Sequence, residues 1–264
     1  MKHWIRLQIV ALMLMVNAQA QAESIELYGI HFPPYAIDSH IVPPYNTELH
    51  ADGIYGVDIE IIREAYASQG IDVSFKMGAW KRIMRDVEQG LILGTASCRA
   101  ITSRANFSYF SDPVSYSSMV LATAKDFLGP QSQHSLDILQ QYNNIVNAGW
   151  AQEAVLTHHG ISYSVVNGIS QGVALVLHRN QDVFMTDKES LLYVLDQMEV
   201  RDQFSFYNIK HIDYKTYGVC FSKKYPDAER LLHSLNQGLE RLKETGRAQA
   251  IYQKYGITTP SAAP

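Results

Sequence analysis

Cysteine is scarce, with only Cys98 and Cys220 in 264 residues. Neither has a second cysteine or a histidine at ligand spacing, so no metal site is expected. The two could pair in an oxidising compartment or lie apart as small buried residues, and their spacing leaves both open. No block of basic residues occurs and the formal charge is −4, which argues against nucleic acid or an anionic membrane surface as partner. No Ser/His/Asp series or metal-ligand set compels catalysis, and no cofactor is expected. Were the chain an enzyme, Glu153 and Glu189 would be the first suspects as general base. Beyond the N-terminus, no stretch approaches the roughly 20 apolar residues of a membrane helix.

The N-terminus itself carries a targeting pattern. Lys2 and Arg6 precede an apolar run, 9–16, too short to span a bilayer, and Ala18, Ala20 and Ala22 place small residues at alternate positions. This predicts a signal peptide over 1–22, cleaved after Ala22, with Ala20 next in order, and export to the periplasm. No cysteine follows the run, so no lipid anchor is expected. Removing 22 of 264 residues leaves 242, comfortable for two lobes of ordinary domain size. The mature chain loses two positive charges and becomes more acidic. A hydrophobic content of 47% is that of a folded globular protein.

From Ser24 onward, strand and helix patterns alternate. Residues 25–30 read as a buried strand, followed by a Pro-rich loop over 32–52. Val57, Ile61, Ile62, Ala65 and Tyr66 recur at helical spacing, with Asp58 and Glu60 in the first turn and Gly70 at the stop. A strand at 71–76, a helix at 80–88 stopped by Gly90, and a strand at 91–96 complete a first unit. A second series begins after Lys125. It holds a helix at 135–141, a strand at 145–148, a helix from Trp150, a strand at 163–166, a helix at 171–179, a strand at 182–185 and a helix from Asp187. A strand at 217–221 and helices at 226–243 and 246–255 follow, with a frayed tail at 261–264. Such alternation predicts an α/β fold of mainly parallel sheets flanked by helices. Ligands of such sheets sit beyond the strands' carboxyl ends, here the loops after Ile30, Ala96, Ala148 and Met185. Two come from each unit, so a ligand could be gripped from both sides.

Those loops supply the candidate residues. Arg104, past the third strand, could hold a carboxylate through two parallel charge-assisted bonds, each worth about 1.5–3 kcal/mol, or stand as a solvated surface arginine. Asp187 ends a strand and opens a helix, where it could receive an ammonium or act as an N-cap. Phe32, Tyr35 and Trp80 could sandwich an apolar or planar ligand portion, or simply pack. The run Gly149-Trp150-Ala151-Gln152-Glu153 puts backbone N–H groups at a helix start, a natural anion site. His158 and His159 are helical neighbours that point about 100° apart, as on a solvated face.

Several of these residues lie in motifs. Gly56-Val57-Asp58-Ile59-Glu60-Ile61 is followed by Ile101-Thr102-Ser103-Arg104 leading to Phe110-Ser111-Asp112-Pro113. Then come Gly149 to Glu153, Asp182-Val183-Phe184-Met185-Thr186-Asp187, Tyr217-Gly218-Val219, and Gly246 through Ile251-Tyr252-Gln253-Lys254-Tyr255-Gly256. In this order, over nearly all of the mature chain, they resemble the extracellular solute-binding proteins of family 3, the polar amino-acid-binding components of ABC importers. The resemblance implies a type II periplasmic-binding-protein fold. Two hinge crossings, near 124–126 and 213–216, would separate lobe 1 (23–124 plus 216–264) from lobe 2 (125–215). It further implies that Arg104 binds an α-carboxylate, Asp187 an α-ammonium, that Phe32 or Tyr35 packs on the ligand, and that Ser97 donates a hydroxyl.

The chain also departs from the family pattern. The stretch between Thr102 and Arg104 is one residue short, Ala151 stands where a Ser or Thr often donates, and Trp80-Lys81-Arg82 resembles a less characterised branch. Arg99 could add a second cation for an acidic side chain or dicarboxylate, or lie at the surface. The expectation is a monomeric, non-enzymatic receptor for an amino acid or related small carboxylate. Its closed form would be recognised by an inner-membrane ABC permease or a membrane sensor. A purely sensory protein, or a dehydratase-like enzyme on the same scaffold, are the alternatives.

Overall fold

The computed structural model describes residues 23–42, 50–178, 181–212 and 215–257. The expected leader at 1–22, part of the Pro-rich loop, Asp213 and Tyr214 of the second expected crossing, and the expected C-terminal tail lie outside the described residues.

Strand β1 (Glu23–Gly29) leads through the antiparallel pair β2 (Ile37–Asp38) and β3 (Ile54–Tyr55) to helix α1 (Val57–Ala67). Backbone carbonyls of the preceding loop satisfy the helix's first donors: Val57 N–H bonds Pro34 O at 3.0 Å and Asp58 N–H bonds Tyr35 O at 3.0 Å. Gly56 makes this approach possible. Its φ is 126°, and a Cβ there would lie 2.4 Å from Tyr35 O. Strand β4 (Ile71–Met77), helix α2 (Trp80–Gln89, closed by left-handed Gly90) and β5 (Gly94–Arg99) follow. After the single turn α3 (Thr102–Ala105) come β6 (Ser108–Phe110) and β7 (Ser115–Ser117).

The second series starts with β8 (Met119–Ala124) and β9 (Gln133–His134). It continues with β10 (Asn144–Asn147), α4 (Ala151–His158), β11 (Ser164–Val166) and α5 (Ile169–His178). Then come β12 (Val183–Asp187), α6 (Lys188–Gln197) and β13 (Phe204–Ile209). The chain returns as β14 (Lys215–Ser222) and ends in α7 (Ala228–Glu244) and α8 (Arg247–Lys254).

Two six-stranded sheets result. The first runs β4-β1-β5-β14-β6 with β7 also on β14; the second runs β11-β10-β12-β8-β13-β9. Each is mixed. Parallel pairs dominate one side (β1 with β4 and β5; β10 with β11 and β12), while β14 and β8 run antiparallel to their neighbours. The α/β expectation thus holds, and β6, β7, β8 and β13, segments to which the apolar pattern assigns no strand, add antiparallel pairs to both sheets.

Two boundaries move. The expected strand at 91–96 sits three residues later, because pairing of Tyr217 with Arg99 and Gly218 with Cys98 holds 94–99 in the sheet. All six of its positions are buried, Thr95, Ser97 and Arg99 included, so polar residues occupy a central strand that apolar patterning cannot show. The first crossing, expected near 124–126, falls at Ser118: β7 pairs in the first sheet and β8 in the second. Cys98 and Cys220 form a disulfide between β5 and β14, with Cα atoms 5.7 Å apart.

Candidate functional site

The carboxyl ends of β1, β5, β10 and β12 meet between the two sheets. From the first sheet's side come Ile30, Phe32, Trp80, Ser97, Arg99, Arg104 and Tyr217; from the second come Trp150, Ala151, Gln152 and Asp187. Together they enclose a space of about 30 Å³, room for one or two waters. Beside it, sharing Ile30, Phe32, Trp80 and Trp150, opens a wider groove of about 670 Å³.

The two halves touch directly here. Phe32 meets Trp150 edge-on at 4.9 Å between ring centroids. Trp80 Nε1 donates to Gly149 O at 2.9 Å, and Arg104 Nη2 donates to the same carbonyl at 3.2 Å. Arg104 also donates through Nη1 to Arg99 O at 2.8 Å and lies over the Trp80 ring at 4.9 Å. Burial, together with the charge of Arg99, lowers its pKa to about 10.

Asp187 sits at the N-cap position of α6 yet makes no side-chain cap bond. Its Oδ1 instead accepts from Arg99 Nη2 in a buried ion pair and from Ser117 Oγ at 3.3 Å. The cation facing it across the gap is therefore Arg99 rather than Arg104. Arg99 is 4% exposed, not a surface residue. It also donates to Tyr217 OH at 2.7 Å and covers that ring at 4.6 Å. Burial opposes its charge, but Asp187 and Tyr217 more than offset this and raise its pKa. Glu189, one layer back, accepts from Ser117 Oγ at 2.8 Å and Ser118 N–H at 3.2 Å.

Eight of the nine residues singled out from the sequence stand on the cavity wall. Tyr35 does not: it stacks behind Phe32 at 5.0 Å and donates its hydroxyl to Tyr116 O at 2.7 Å. The N-terminus of α4 is occupied in part from within, since Glu153 accepts from Gly149 N–H. Tyr217 and Gln152 escaped the sequence reading. Each lay in a quoted motif, but nothing in local pattern shows that a residue of β14 reaches β5, or that Gln152 is 1% exposed. Among the described residues, no group of three His, Cys, Asp or Glu is placed to hold a metal, and no helix is long and apolar enough to cross a membrane.

Two α/β sheets crossed twice by the chain, closing on a buried polar cavity, define a two-lobed binding protein. The sequence profile of the bacterial extracellular solute-binding proteins, family 3, matches residues 36–258, and the chain belongs to that family. No relative among curated proteins matches the sequence. Similar solved structures include a histidine kinase sensor domain with similarity to periplasmic binding proteins (19% identity, TM-score 0.76, covering 92% of this chain and 100% of that one). Another is a Streptococcus pneumoniae ABC uptake transporter substrate-binding protein with bound histidine (17%, 0.72, 88% and 92%). A third is an ancestral amino acid-binding protein, precursor of cyclohexadienyl dehydratase (16%, 0.69, 89% and 96%). At these identities the likeness shows the fold.

Proposed function

We propose that this protein captures an amino acid or related small carboxylate between its lobes by clamshell closure and presents it to an inner-membrane ABC permease. The observation that carries the reading is the cavity that Ser97, Arg99 and Arg104 of one lobe line together with Asp187 of the other. In this reading Arg104 and Ser97 hold the ligand's carboxylate, with Phe32 and Trp80 against its skeleton. Asp187, Trp150 and the start of α4 engage as the second lobe closes. Contacts made only in the closed form bias the open–closed balance. A space of about 30 Å³ is too small for an amino acid, so entry requires the lobes to part and the Arg99–Asp187 contact to yield or shift. A micromolar affinity, about −8 kcal/mol, is within reach of a few buried charge-assisted bonds. The same reading makes the protein a periplasmic monomer released by cleavage after Ala22.

Thermal shift of the mature protein against amino acids and small carboxylates tests this. A ligand at 100 times its Kd should add about 2.7 kcal/mol of stability; a folded sample that responds to none would refute it. A second reading, a sensor that reports to a membrane receptor, is favoured by the likeness to the kinase sensor domain. A co-purifying permease or kinase partner separates the two. Product formation during the same trials would reveal an enzyme, the reading that the dehydratase precursor's likeness keeps in play.

A further inference from the structure

The polar atoms on the cavity wall are unevenly distributed between donors and acceptors. Arg99 Nη1 and Gln152 Nε2 are buried without hydrogen-bond partners, on residues that are 4% and 1% exposed, while the buried Ser97 hydroxyl is turned toward Asp58. Both can donate, and Ser97 and Arg104 stand beside them. Among the described residues the one carboxylate on the wall, Asp187, is already engaged by Arg99 and Ser117. Two guanidinium groups and one carboxylate thus share this wall, leaving one positive charge and unused donors on buried residues. Unpaired buried charges and donors are costly until something supplies the missing acceptors.

A neutral zwitterion would add one charge of each sign and leave the excess in place. A ligand of net charge −1 removes it. We infer that this site selects monoanionic ligands, and that Arg99 sets the selection; the inference rests on the proposed role of the cavity as a ligand site. Two chemistries share that charge. An acidic amino acid would divide the Arg99–Asp187 pair, giving its ammonium to Asp187 and its two carboxylates to Arg104 and Arg99. A simple monocarboxylate would leave the pair intact and use Arg104, Ser97 and the free Nη1 of Arg99. In both cases the ligand's acceptors meet the donors that lack partners.

Calorimetric titration of the mature protein with L-glutamate, L-glutamine, L-arginine and butyrate tests this. Glutamate and glutamine match in size and differ in charge. The expected result is that glutamate or butyrate binds at least about tenfold tighter than glutamine and arginine. Glutamate ahead of butyrate indicates the divided pair, and the reverse order the intact one. Arg99→Gln should reduce the anion-to-neutral ratio by about tenfold or more while Arg99→Lys retains most of it, a ratio that a merely structural role would not move. The wild-type ratio decides the matter even if Arg99→Gln does not fold. Glutamine or arginine binding as tightly as the anions overturns the inference and leaves the solute-binding reading standing. If neither these four nor any other amino acid or small carboxylate binds the folded protein, both fail together.

Discussion

Asp58 is fully buried at the start of α1, and neither of its oxygens has a hydrogen-bond partner of ordinary geometry. Burial raises its pKa to about 7 from an ordinary 3.8, with Ser115 and Ser97 acting weakly in the other direction. The folded protein therefore keeps a proton that the unfolded chain has already lost above about pH 4. Its contribution to stability falls as pH rises from the unfolded value to the folded one, and levels off beyond it. The full difference is about 4 kcal/mol. Asp58→Asn cannot ionise, so its stability relative to wild type should grow between about pH 5 and 7 and level off above that in denaturant melts. A constant difference over that range would mean that Asp58 is already charged at pH 5. Because Ser97 lies between Asp58 and the cavity, the same variant reports whether the carboxyl also orients that hydroxyl.

Elements of the first lobe are joined by two close contacts that substitution can probe. Helix α7 crosses α1 at Gly238, where a Cβ would come within 2.2 Å of Ala65 O. A methyl group there must push two helices apart, so Gly238→Ala should cost about 1–3 kcal/mol in spite of its better helix propensity; a neutral or stabilising result would show that the helices can shift. The disulfide links β5 to β14 over a sequence separation of 122. Its reduction, or Cys98→Ser with Cys220→Ser, should lower stability by about 3–5 kcal/mol through the freed unfolded chain. It lies between Ser97 and Arg99, so ligand affinity is expected to fall with it.

For the whole molecule, opening and closing of the lobes can be followed from two side chains. Of three tryptophans, Trp4 lies in the predicted leader, and the other two, Trp80 and Trp150, both line the cavity between the sheets. Tryptophan emission of the mature protein, excited selectively over its tyrosines, therefore reports on the cleft. Saturating ligand should shift or quench the emission, with Trp80→Phe and Trp150→Phe each removing part of the response. Emission unchanged by a ligand that binds calorimetrically would place that ligand outside the cleft.

Much of the order of strands and helices and most of the cavity residues were legible in the chain itself. Hydrophobic period and glycine stops are local signals, and Arg104, Asp187 and Trp80 follow elements that those signals mark. What local pattern could not decide was pairing over long separations. The return of β14 against β5 moved the third strand by three residues, buried Arg99, brought Tyr217 under it and joined the two cysteines. Asp187 could be a helix cap or a ligand group on sequence grounds. Only the approach of the first sheet, which set the Arg99 guanidinium opposite it, turned its carboxylate away from the helix end, because among buried residues a nearby cation outweighs two backbone donors.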